Sequence, residues 1–260
     1  MLKAELNLFQ VLRFTFLLMA SILNPAPALA QTDTELVDAG VAAIDRNDDQ
    51  EAIRLFSLAC DRGNSYGCNN LGVIYAFPKK GTQDLGRAAA LFYQACNKGY
   101  AAGCYHLGVL HQRGSGVNQN YNMAASLFEK GCTGNVPASC TSLGAVFASG
   151  LGKPMNKPRS AELFQKGCDL GDALGCFNIG AAYDDGIGVS VDKELAAIFL
   201  KKSCDDKEAM GCFNLGVKFA LGDGVPKDRT KAVHFFRQAL AINPSFENAR
   251  LALIELGADP

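Results

Sequence analysis

The chain has 260 residues, of which 48% are hydrophobic and 20% charged, enough apolar material for a buried core and too much for a disordered chain. Its formal net charge is -1, so it lacks the basic footprint that phosphate neutralisation demands, and nucleic acid is excluded as a partner class.

Residues 1–30 read as a cleavable signal peptide. Lys3 and Arg13 accompany a charged start, Phe14 to Leu23 form an apolar run, and Ala28-Leu29-Ala30 supplies the small-x-small pattern of a cleavage site. A run of about ten apolar residues is too short to span a bilayer. No stable membrane anchor is therefore expected after cleavage, and the expected location is periplasmic or secreted. Residues 31–66 read as an N-terminal cap hairpin, with a short loop at Asp45 to Asp49 and no cysteine in its first helix.

Residues 67–241 read as a repeat domain, and a ruler that starts at Cys60 runs through it. Cysteines stand at 60, 68, 96, 104, 132, 140, 168, 176, 204 and 212, eight apart within a pair and thirty-six apart between pairs. Five copies without an insertion identify an internal repeat. After the second cysteine of each pair come Leu71-Gly72, Leu107-Gly108, Leu143-Gly144, Ile179-Gly180 and Leu215-Gly216, then Tyr75, His111, Phe147, Tyr183 and Phe219. Large residues at i, i+3 and i+7 predict one helix face, helix A. A second helix, B, is predicted to start at Asp84, Asn120, Asn156, Asp192 and Asp228, whose side chains suit an N-cap. Small residues and then bulky pairs follow, such as Leu91-Phe92 and Phe235-Phe236. Between the helices, Gly114-x-Gly116, Gly150-x-Gly152, Gly186-x-Gly188 and Gly222-x-Gly224 end helix A and turn the chain. Leu240 takes the place of a further cysteine, Asn243-Pro244 breaks the chain, and residues 242–260 read as a C-terminal capping helix.

The pattern Gly-Cys-x-x-Leu-Gly-x-x-aromatic, Gly-x-Gly-Val, Asp-x-x-x-Ala-x-x-Leu-Phe resembles Sel1-like repeats. Its Cys-x7-Cys form, as in Gly211-Cys212-Phe213-Asn214-Leu215-Gly216, resembles the Helicobacter cysteine-rich protein family. The flanks, Asn243-Pro244 especially, look like tetratricopeptide repeats. The resemblance implies an all-α fold, a right-handed α/α superhelical solenoid of six hairpins plus a capping helix, with helix A lining the concave face. It also implies five local disulfides tying each helix B to the next helix A: Cys60–Cys68, Cys96–Cys104, Cys132–Cys140, Cys168–Cys176 and Cys204–Cys212. Spacing alone leaves other connectivities open.

No metal or cofactor is implied. Cys-x-x-Cys, favoured by zinc sites and thiol-disulfide enzymes, does not occur, and His106 and His111 are five apart on one helix, off a shared face. The cysteine-rich resemblance brings an alternative, a penicillin-binding protein with weak β-lactamase activity. The chain has one Ser-x-x-Lys, Ser190-Val191-Asp192-Lys193, but no Ser-Asp-Asn and no Lys-Thr-Gly. Those four residues are better explained as an ordered helix start, and no catalytic residue is assigned. The function expected is protein or peptide binding. By register with tetratricopeptide repeats, the two residues after each helix A cysteine face the groove: Asn69-Asn70, Tyr105-His106, Thr141-Ser142, Phe177-Asn178 and Phe213-Asn214. Among these, Asn70, His106, Asn178 and Asn214 suit a peptide backbone, and Tyr105, Phe177 and Phe213 offer anchor area.

Overall fold

A computed structural model describes residues 32–78, 81 and 83–259, and among them the chain forms thirteen helices and no strand. They are α1 (Asp33–Asp45), α2 (Asp49–Asp61), α3 (Ser65–Ala76), α4 (Leu85–Asn97), α5 (Ala101–Arg113), α6 (Tyr121–Thr133), α7 (Pro137–Ser149), α8 (Lys157–Asp169), α9 (Ala173–Asp185), α10 (Lys193–Asp205), α11 (Ala209–Leu221), α12 (Arg229–Ile242) and α13 (Glu247–Glu255). Odd-numbered helices are helix A and even-numbered ones helix B, giving six hairpins and a final cap. The all-α solenoid expected from the repeat is therefore present. The signal peptide expected at 1–30 lies outside the described residues.

The helices begin and end where local chemistry allows. Asp48, Asp84, Asn120, Asn156, Asp192 and Asp228 each accept the backbone N–H three residues on, at 2.9–3.1 Å. Such a cap contributes about 1 kcal/mol and fixes where each even helix starts. At the other end, Gly114, Gly150, Gly186 and Gly222 close α5, α7, α9 and α11 in the left-handed conformation. The second glycine of each loop has a different task. A Cβ on Gly116, Gly152, Gly188 or Gly224 would collide with the backbone of Leu85, Tyr121, Lys157 or Lys193, the first residue of helix B in the preceding hairpin. It marks a close approach between repeats, which sequence reading had assigned to the turn.

Within a hairpin, the two helices meet through a glycine and a ring. A Cβ on Gly72, Gly108, Gly144 or Gly216 would stand 2.7 Å from the ring of Phe92, Phe128, Phe164 or Phe236. The first hairpin repeats the device with Gly40 and Phe56 at 2.6 Å. Only the fifth departs from it, with Gly180 facing Leu200 at a looser 3.2 Å. Apolar burial is correspondingly local. The core is a string of small clusters, each built from one or two adjoining hairpins. α9 also packs directly on α7 and on α11, so neighbouring odd helices touch one another in this part of the array.

Between hairpins, the five disulfides pair as the repeat favours. Each joins the last turn of an even helix to the first turns of the next odd one, with Cα atoms 4.4–4.6 Å apart. All ten half-cystines are buried. Inside each nine-residue loop the chain takes a positive φ at Gly63, Gly99, Asn135, Gly171 and Lys207, a third thirty-six-residue column. A side chain with a Cβ pays about 1–2 kcal/mol in that conformation, and lysine has no local hydrogen bond to offset it.

Three outcomes are expected. Free-thiol titration of the native protein finds essentially no thiol, and reducing the bridges costs about 2.6 kcal/mol per nine-residue loop in the chain-entropy account; several reactive thiols before reduction would refute the assignment. Gly72→Ala and Gly216→Ala destabilise by about 1–3 kcal/mol through overpacking against a ring, whereas Gly180→Ala costs measurably less in a denaturant titration. Lys207→Gly raises stability by about 1 kcal/mol, and no change in the unfolding midpoint would count against strain at that turn.

Candidate functional site

Two columns follow the helix A cysteine, and the helices turn them differently. The first column faces inward, toward its own helix B and the next helix A. Asn69 and Thr141 are buried. Tyr105 tilts against Phe128 at 6.1 Å between ring centroids, Phe177 packs beside Leu200 and Leu215, and Phe213 sits between Phe236 at 5.5 Å and Phe246 at 5.2 Å. The three aromatic rings are half-buried and already packed within the array.

The second column lies half-exposed on the odd-helix face. Its members differ in what they have left to offer. Asn70 donates its amide to the Tyr66 carbonyl at 2.9 Å, one turn back on its own helix. His106 stacks on Phe92 at 4.9 Å, and burial pushes its imidazole below the usual pKa. Loss of water thus favours the neutral form of the ring. Asn178 and Asn214 stand at equivalent places on α9 and α11, and among the described residues no protein group bonds their side-chain amides. Asn178 also borders a cavity of about 530 Å3 between α7 and α9, floored by Phe164 and Ala161 and flanked by Ala145, Ala148 and Ile187. A second cavity of about 640 Å3 opens on the even-helix face between α10 and α12, over Ala197, Phe219 and Phe235, and involves neither of the two columns that follow the helix A cysteine.

A four-charge cluster escaped sequence reading. Lys218, only 3% exposed, donates to Asp184 at 2.6 Å and to Asp223 at 2.8 Å, and Lys193 reaches Asp184 at 2.7 Å. Burial acts to raise the Asp184 carboxyl, but hydrogen bonds from Lys193 and Lys218 outweigh it and hold the group below its usual pKa. The hydrogen bond to Asp184 in turn holds the Lys193 ammonium above its usual value. This bears on Ser190-Val191-Asp192-Lys193. Lys193 is an ion-paired cation and Asp192 caps α10, so Ser190 has no free base beside it in that motif. The signal for the cluster was a single polar residue, Lys218, in a column otherwise occupied by Ile74, Leu110, Val146 and Ala182.

Sequence reading also missed a column that covers the disulfides. Lys166 and Lys202 donate to the carbonyls of Cys132 and Cys168, at 3.0 and 2.9 Å, across the interface between hairpins. Each cation meets the carbonyl-rich end of the preceding even helix, where positive charge is favourable. Gln94 and Gln238 occupy the same place beside the first and last bridges. Among the described residues, no helix is long and apolar enough to cross a membrane.

Comparison with known proteins gives a consistent picture of the fold. The structure is similar to that of c5321, a protective antigen of uropathogenic Escherichia coli with an SLR fold, at a TM-score of 0.77 and 21% identity, over 96% of this chain and 51% of that one. It is similar to a Sel1 repeat protein from Oxalobacter formigenes at a TM-score of 0.78 and 22% identity, over 87% of this chain and 66% of that one. The chain thus spans about half of the first neighbour and just under two thirds of the second. Helicobacter pylori cysteine rich protein B aligns with 29% identity at a TM-score of 0.42, over 51% of this chain and 95% of that one. No curated protein matches the sequence. The pattern of the Sel1 repeat matches six times, at residues 38–64, 65–100, 101–136, 137–172, 173–207 and 209–242, taking in the first hairpin as well as the five that follow it. With most of its length accounted for by those six copies, the chain belongs to the Sel1 repeat family.

Proposed function

We propose that this protein is an exported interaction scaffold that binds a peptide segment of a partner protein along its odd-helix face. The observation that carries the reading is the pair of unpartnered amides, Asn178 and Asn214, set at the same place on consecutive repeats. An asparagine side chain offers both a donor and an acceptor, which matches the alternation of N–H and C=O along an extended backbone. Solenoids present such inner faces as continuous surfaces, and their function resides in the side chains that vary over a constant frame.

Export follows from two supports. Residues 1–30 have the composition of a cleavable signal peptide, and five buried disulfides belong to an oxidising compartment, the periplasm or the outside of the cell. The partner is a protein of that compartment. In this reading Tyr105, Phe177 and Phe213 shape the floor behind the asparagines, and Asn70 and His106 extend the face toward the N-terminal repeats.

Replacing Asn178 and Asn214 together by Ala leaves helix content and the thermal transition unchanged, because neither amide bonds the fold. It weakens capture of the partner from the exported fraction by about 1 kcal/mol or more for each backbone hydrogen bond lost. A reproducible partner retained equally by the double variant would move the site elsewhere.

A further inference from the structure

The four-charge cluster and the cavity beside Asn178 are the same place, one repeat apart. Adding thirty-six to Ala148, Lys157, Ala182 and Ile187, all of which line the cavity, yields Asp184, Lys193, Lys218 and Asp223. Between hairpins five and six, those four charges fill the space, with Lys193 and Lys218 on the two carboxylates at 2.6–3.6 Å. Between hairpins four and five, both carboxylates and the buried lysine are absent. Alanine, alanine and isoleucine stand in their place, and a cavity of about 530 Å3 results. One member of the set survives. Lys157 occupies the position of Lys193, and among the described residues no carboxylate pairs with it.

The array therefore contains its own template for what the cavity accepts. A ligand entering it meets apolar walls of Ala148, Ala182 and Ile187 over the Phe164 ring, a cation at Lys157, and the amide of Asn178. The volume lies within the range of small-ligand sites and exceeds what one side chain of ordinary size needs. An apolar side chain alone would leave Lys157 without a counter-charge. A carboxylate alone would leave the walls exposed to water.

We infer that this cavity is a subsite for the last residue of a peptide with an apolar side chain, whose free α-carboxylate takes on Lys157 the place that Asp184 takes on Lys193. Charge complementarity and the internal template call for a carboxylate beside an apolar group; the last residue of a peptide carries both, whereas an internal stretch has no carboxylate at its backbone. The inference rests on the peptide-binding reading above and sharpens it to one interface and one end of the ligand. Asn178 then bonds the backbone just before the terminal residue, and Asn214 continues the contact along α11.

The test uses the mature protein with its disulfides intact, immobilised, and a hexapeptide pool randomised at five positions and ending in Leu. The pool is made once as the free acid and once as the C-terminal amide, and retained peptides are counted by mass spectrometry. The free acids are expected to be retained at least tenfold over the amides. Ala148→Asp, which supplies the carboxylate present one repeat on, brings the acids down to the amide level. Lys157→Gln, an exposed change that carries the test should Ala148→Asp fail to fold, removes the acid-over-amide preference. Equal retention of acids and amides that is still lost in the Asn178→Ala/Asn214→Ala variant overturns the subsite and leaves odd-face binding standing. Retention of neither pool, or retention indifferent to every variant, overturns both.

Discussion

Among the described residues, the strong contacts of each hairpin are with the hairpin before it and the one after. Every interface has to hold by itself, since stability in such a stack is close to a sum of repeat and nearest-neighbour contributions. Three features share the same thirty-six-residue spacing for that reason. A disulfide closes the turn between even and odd helix, a glycine there or its substitute takes a positive φ, and a second loop glycine lets the next hairpin press on a helix start. The glycine-on-ring contact inside five of the six hairpins then sets how closely the two helices lie. Removing any of these changes one joint, and the joint is what defines the direction of the following repeat.

Constancy at the joints frees the remaining positions. The fifth hairpin exchanges the ring for Leu200. The fourth places Ser139 where the others have glycine, and Gly131 opposite it makes room for the hydroxyl-bearing side chain. Such paired exchanges conserve volume, which is why they leave the frame intact. The same freedom on the odd-helix face yields two contrasting interfaces from one backbone arrangement, one filled by a buried lysine with two aspartates and the next lined by alanine and isoleucine. A buried cation is tolerable only where its hydrogen bonds are met, and Lys218 has two carboxylates within 2.8 Å. Once those carboxylates are absent, a short apolar residue in place of the lysine is the arrangement that leaves no buried charge, and a hollow remains.

The site was less legible than the frame. Reading two adjacent positions as one groove-facing pair overlooked that neighbours on a helix are about 100° apart. The structure turns Tyr105, Phe177 and Phe213 onto helix B of their own hairpins, and leaves the outer edge to Asn178 and Asn214. Nor did the column containing Lys218 announce its partners. Asp184 lies thirty-four residues earlier and Asp223 five later, in a helix end and a loop whose columns also hold alanine, glutamine, leucine, serine and isoleucine.

Everything that depends on contacts at one repeated separation was determined by the sequence itself: the helices, their caps, the number of hairpins and the class of solenoid. Those contacts recur in five copies, and recurrence makes a local preference visible as a column. Which cysteine joins which, although favoured by the repeat, became definite only when the turn brought the two Cα atoms within 4.6 Å. The unpartnered amides, the covered disulfides and the alternation of a filled and an empty interface were decided by the tertiary structure. The filled interface arises where side chains from three helices and a loop converge once, and a feature that occurs once has no period to betray it.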